Sequence, residues 1–184
     1  MRSLLTFVVE VLAFAIFIPT FGTAQNDTQL ARLRIAPSKH NYVSGEAVLV
    51  TYRITNLSSS LLCFPPPSID CHSVAGVLRA TATAPKGVAG PKNSWGCIAD
   101  PAMDRDAGYD IDQHWIKLGP LQSYEIRKES HSIGLTAPGL WTVEAAYVPM
   151  QANAQSRYQN ALRERGCSSV PELHSSKVTI SVKP

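Results

Sequence analysis

The sequence predicts an all-β protein: an antiparallel β-sandwich of seven to eight short strands, with one short helix in a long loop. Three observations carry that prediction. Apolar and polar residues alternate in one stretch after another, most cleanly over 48–55. There Val48, Val50, Tyr52 and Ile54 fall on one face, and Leu49, Thr51, Arg53 and Thr55 fall on the other. Turn residues separate these stretches, among them Ser44-Gly45-Glu46, Gly119-Pro120 and Ala137-Pro138-Gly139. One segment alone, 151–165, carries helical spacing.

In chain order, residues 1–24 read as an export signal. Arg2 supplies the positive start, Val11 to Ile18 is an unbroken apolar run, Pro19 breaks it, and Gly22-Thr23-Ala24 offers small residues before a cut ahead of Gln25. Glu10 shortens the usable run, which falls well below the ~20 residues that span a bilayer. No second apolar stretch of that length follows, so no membrane span is expected after signal cleavage. Residues 25–184 then form one domain, long enough for a sizeable core. The predicted location is secreted or periplasmic.

Leu30 to Ile35 alternates and reads as the first strand, ended by Pro37. Gly45 sits in the turn before the strand that runs to Asn56, and 57–60 is polar loop. Leu61 to Phe64 is a short apolar strand stopped by Pro65-Pro66-Pro67, and 76–84 alternates again. No period is visible from Pro85 to Ile111. His114, Ile116 and Leu118 read as a short strand, Tyr124, Ile126 and Lys128 as the next. Trp141, Val143, Ala145 and Tyr147 form a core-facing strand, and Val178, Ile180 and Val182 the last one. Between these two, Ala154, Tyr158 and Ala161/Leu162 share one helical face, with Gly166 in the position of a helix C-terminal glycine.

The order Tyr42-x-x-Gly45-Glu46, alternating strand, Asn56, Leu118-Gly119-Pro120, Pro138-Gly139-x-Trp141 and a final alternating strand resembles bacterial immunoglobulin-like modules. It is similar to the sandwich of the intracellular proteinase inhibitor family and to macroglobulin-type domains. The resemblance covers most of residues 25–184 and implies an immunoglobulin-like sandwich. For function it implies peptidase inhibition as an alternative to plain binding, with no reactive residue of that family matched to a position in this chain.

Cys63, Cys71, Cys97 and Cys167 all follow the signal, and an even count in an exported chain reads as two disulfides with three connectivities. The short, proline-limited segment between Cys63 and Cys71 favours pairing those two, leaving Cys97 with Cys167. No CxxC or paired Cys/His spacing suggests zinc, and no methionine follows His174 to complete a copper set with Cys167.

Asp100, Asp104, Asp106, Asp110 and Asp112 are clustered, and their spacing resembles a calcium loop. The glycine, Gly108, stands one place early, and Trp115 occupies the position of the bidentate glutamate. The favoured reading is a solvated loop with aspartates as turn formers. Five histidines are dispersed along the chain, and neither HExxH nor GxSxG occurs. A formal charge of +3 with scattered basic residues shows no nucleic-acid footprint. Asn26-Asp27-Thr28 and Asn56-Leu57-Ser58 match the glycosylation sequon.

The function expected from these observations is that of an exported, non-enzymatic module without a cofactor, binding a protein or envelope component. The loops 85–111 and 149–174 would make contact, with Trp95, Asp100, Asp104, Asp106 and Tyr109 as candidate contact residues. The alternatives are a proteinase-inhibitor-like domain and a calcium-stabilised binding module.

Overall fold

A computed structural model describes residues 29–67, 76–90, 106–130, 133–149 and 152–184. The predicted signal, Cys71, Trp95, Cys97, Asp100 and Asp104 lie outside the described residues. The first elements are β1 (Ala31–Pro37), β2 (Asn41–Val43), β3 (Val48–Asn56), β4 (Leu61–Phe64) and β5 (Val77–Thr83). After them come α1 (Ala107–His114), β6 (Ile116–Leu118), β7 (Ser123–Ser130) and β8 (Gly139–Val148). The chain ends with α2 (Ala152–Glu164), β9 (Cys167–Ser169), β10 (Leu173–His174) and β11 (Val178–Lys183).

The cleanest alternation in the sequence becomes the centre of the first sheet, ordered β1-β3-β7. Val48, Val50, Tyr52 and Ile54 are buried, whereas Arg53 on the opposite face is exposed. β1 runs antiparallel to β3 in a register that sets Leu33 opposite Ile54 and Ile35 opposite Tyr52, so both strands turn their apolar sets to one side. Leu57 N–H bonds Leu30 C=O and Ser38 N–H bonds Leu49 C=O, which fixes the ladder phase. In that phase Pro37 faces the free edge of β1, where the N–H it lacks is not called on.

The second sheet is built on β8. β5 lines one side of it, and β11 and β10 follow each other along the other, with β2 outside β11. At the break between β10 and β11, Ser175 Oγ accepts the N–H of Ala145 at 2.9 Å and keeps the ladder satisfied. The two sheets pack face to face over one core, in which Trp141, Tyr147, Leu33, Ile54 and Ile180 are almost wholly buried. Trp141 Nε1 donates to Ala137 C=O and Tyr147 Oη to Pro65 C=O, so both large rings bury their polar atoms with partners. A third, small sheet has the order β6-β4-β9.

The expected fold needs three corrections. Among the described residues there are eleven strands rather than seven or eight, because β2, β9 and β10 are too short to display a period of two. The pairing is not purely antiparallel, since β11 runs parallel to β2 and β4 parallel to β9. Among the described residues there are two helices rather than one: α1 occupies part of the expected loop and includes His114, a residue whose spacing with Ile116 and Leu118 predicts a strand.

One side chain ties the sheets together. Asn56 is fully buried at the end of β3. Its amide nitrogen donates to Ser60 C=O and to Leu118 C=O at 2.8 and 2.9 Å, and its oxygen accepts from the N–H and hydroxyl of Ser58 at 2.8 Å. Its own N–H bonds Gln122 C=O, and its C=O accepts from Leu121 N–H. The same burial removes the Asn56 sequon from the surface of the folded chain. Asn56→Ala strands these partners in the interior and is expected to cost about 3 kcal/mol in urea unfolding, whereas exposed Ser59→Ala leaves the midpoint unchanged.

Candidate functional site

The two long connections of the sequence meet in the structure. α1 comes from the first and α2 from the second, and they pack against each other beside the small sheet. α1 begins where Asp106, in extended conformation, accepts the N–H of Tyr109 at 2.8 Å, satisfying an N–H that the first turn leaves open. Ala107 and Ile111, four residues apart, form the buried face of α1. Tyr158, Ala161 and Leu162 answer from α2, and Cys63 and Cys167 complete this second core.

Polar residues stitch its margin. Trp115 stacks on Tyr158 with ring centroids 5.2 Å apart and planes 15° from parallel. Asp110 Oδ2 accepts from Tyr158 Oη at 2.9 Å and from Trp115 Nε1 at 3.3 Å, holding both rings from one carboxylate. Asp112 accepts from Nε and Nη2 of Arg165 at 3.0 and 2.8 Å, a forked contact between the helices, and from Lys117 Nζ at 3.2 Å. Arg165 Nη1 also bonds Ala161 C=O near the end of α2. The guanidinium reaches this position because residue 108 is glycine: a Cβ there would stand 2.5 Å from Arg165 Nη2. The helix then closes at Gly166 with φ +63°, the backbone a helix C-terminal glycine supplies.

Directly after that glycine, β9 lies parallel to β4, and Cys167 is bonded to Cys63. The expected pairing of Cys63 with Cys71 and of Cys97 with Cys167 is thereby corrected. The determinant is β9, three residues long, which sets Cys167 beside β4 across a separation of 104 residues. The bridge ties the second connection to β4 of the small sheet, and helix packing ties the first connection to the second.

The aspartates therefore do more than solvate a loop. Asp106 caps a helix, Asp110 clamps two rings and Asp112 binds a guanidinium. The spacing that resembles a calcium loop is helical from Ala107 on, which sends the carboxylates at 110 and 112 to different faces, about 200° apart. No group of three or more metal-ligating side chains occurs among the described residues. Tyr109 stands on α1 with 60% of its surface exposed, its ring edge-on to His114.

Between the start of α1 and the last turns of α2 lies an open, polar groove of about 730 Å³. Asp106 and Glu164 give it carboxylates, Arg157 and Arg165 guanidiniums, and Asn160 an amide. These groups can pair with a charged or hydrogen-bonding surface, and its described lining brings no hydroxyl, thiol or imidazole nucleophile. Arg165, Asp110 and the Trp115–Tyr158 stack carry no sequence signal that joins them into one unit. The readable signal was Asp106 followed by Ala107 and Ile111 at helical spacing. No family model matches this chain, and no curated protein matches it either.

Two outcomes follow for this unit. Peptide mapping without reductant is expected to link Cys63 to Cys167, and Cys63→Ser with Cys167→Ser to cost roughly 4–5 kcal/mol of stability; a Cys63–Cys71 peptide would contradict the structure. The Arg165 fork, with Lys117 behind it, holds the Asp112 carboxyl down at about 2. A folded-state value below the unfolded one makes the carboxylate stabilising above about pH 4. That contribution is lost as pH falls through about 2. Asp112→Asn should thus lower Tm at pH 7 and much less at pH 2, and less at high salt because Asp112 is exposed.

Proposed function

We propose that this chain is an exported, immunoglobulin-like β-sandwich acting as a non-enzymatic binding module for a protein or envelope component, with the α1/α2 unit as its contact surface. The observation that carries the reading is the convergence of both long connections into one packed unit, bonded by Cys63–Cys167 to β4, whose Leu62 and Phe64 lie in the sandwich core. Connections of this length are rarely retained without a role, and contact residues placed on a rigid scaffold bind at lower entropic cost.

The strand partition supports the immunoglobulin-like assignment. β1-β3-β7 corresponds to an A-B-E sheet and β5-β8-β11 to C-F-G, with β2 alongside the last strand. The disulfide is compatible with export, as is the absence, among the described residues, of any helix long and apolar enough to cross a membrane. Exposed Tyr109 has the character of a contact residue, and the charged groove beside it favours a partner surface of mixed charge.

The test is capture of partners from the source's envelope and medium by the oxidised protein, beside a variant carrying Tyr109→Ala and Asn160→Arg. Both changes lie on the surface and should leave Tm within about 2 °C. Specific capture by the parent and at least a tenfold loss in the variant support the reading. Equal capture by both moves the contact surface away from the helices, and no capture by the parent removes the binding-module reading.

A further inference from the structure

The outer face of the β1-β3-β7 sheet is graded along its strands, from an apolar end to a cationic middle. At the end where β1 begins and β3 finishes, Leu57 N–H bonds Leu30 C=O at 2.9 Å, and Leu121 N–H bonds Asn56 C=O at 3.0 Å. Three leucines are thus brought to one edge, with Leu30 37% and Leu121 79% exposed. Leu121 is held there at φ +62°, the one non-glycine residue with positive φ among the described residues. Leu121 fills the third position of the turn closed by Gln122 N–H on Gly119 C=O, where a positive φ is required and glycine is usual, so a large apolar side chain stands in solvent where none is needed for the turn.

The next positions inward are Arg32, opposite Thr55 and Ser123, and then Arg34, opposite Arg53 and Glu125. Arg127 follows, opposite Thr51. These positions rise in steps of about 6.8 Å along the strands, with about 4.8 Å between strands. All four arginines are exposed. Arg53 is paired with Glu125, whereas Arg32, Arg34 and Arg127 have no ion pair among the described residues. Glu129 occupies the register position opposite Leu49, at the far end from the leucines. The described residues of the leucine end, 29–30, 57–60 and 119–123, contain no carboxylate.

We infer that this end of the sandwich docks on an anionic lipid bilayer, with Leu30, Leu57 and Leu121 entering the headgroup–acyl boundary and Arg32, Arg34 and Arg127 meeting lipid phosphates. A bilayer is layered in the same order, acyl chains beneath phosphates, and arginine stems reach along apolar surface while their heads stay at the phosphate level. A protein contact patch is arranged differently, with an apolar centre ringed by polar groups rather than an apolar tip below a cationic band. This surface is formed by residues other than those of the α1/α2 unit and does not depend on that unit's role.

The experiment is co-sedimentation with vesicles of phosphatidylcholine alone or with 30% phosphatidylglycerol. The protein is expressed from the full coding sequence in an exporting bacterial host, and its N-terminus is read by mass spectrometry. Binding to the anionic vesicles only, weakened by 0.5 M salt, is expected. Arg32→Ala with Arg34→Ala should weaken it roughly twenty-five-fold, about fivefold for each charge near the surface. Leu121→Asp should weaken it at least about tenfold, and Leu121→Gly, which relieves the backbone, keeps the fold as a check. No binding by the parent overturns the inference, as does binding that all variants retain. Ultracentrifugation showing a dimer that Leu121→Asp dissolves, without vesicle binding, would assign the leucines to a second copy instead and also overturn it.

Discussion

Placing Asn56 in the interior obliges several separate parts of the chain to take fixed positions. A buried primary amide has two donors and an acceptor to satisfy, and leaving any of them open costs more than a typical hydrogen bond returns. In this fold the partners come from the 58–60 loop and from Leu118, while the backbone of the same residue engages Leu121 and Gln122. The end of the first sheet, the small sheet and the turn into β7 are thereby set relative to one another. The unfavourable backbone at Leu121 persists because this network holds its N–H in place.

Much of the sandwich was legible because period-two alternation is a direct record of one-sided burial. β1, β3, β5, β8 and β11 all show it, and their inward residues are those the pattern names. What was illegible is equally physical. A strand of two or three residues, such as β9 or β10, contains no full repeat, so no pattern can announce it. α1 buries only Ala107, Gly108 and Ile111, and its aspartates satisfy helix-capping and loop rules alike. The disulfide was misread because proximity in sequence was taken for proximity in space, and β9 was the missing fact.

The helical unit illustrates how carboxylates acquire different tasks from position alone. Asp106, Asp110 and Asp112 stand close together in sequence, yet one caps an open helix start, one accepts from the polar edges of two stacked rings and one meets Arg165, just past the end of the other helix. A metal would need such groups to converge, whereas a helix disperses them. The outcome is a polar surface with most of its charges tethered and its geometry fixed. In the proposed binding role, such preorganisation would lower the entropy lost on association.

The span of the disulfide also bears on how the molecule is made. A chain emerging from its N-terminus presents Cys63 with Cys71 as the nearest thiol, while the native partner follows 104 residues later. Closing the shorter loop is easier by about 2 kcal/mol in chain entropy, so early oxidation favours the wrong pair. Wherever that early bond forms, a thiolate must reopen it and pass it on to Cys167. Supply of an isomerase, more than the stability of the finished sandwich, would govern how much native protein an oxidising compartment yields.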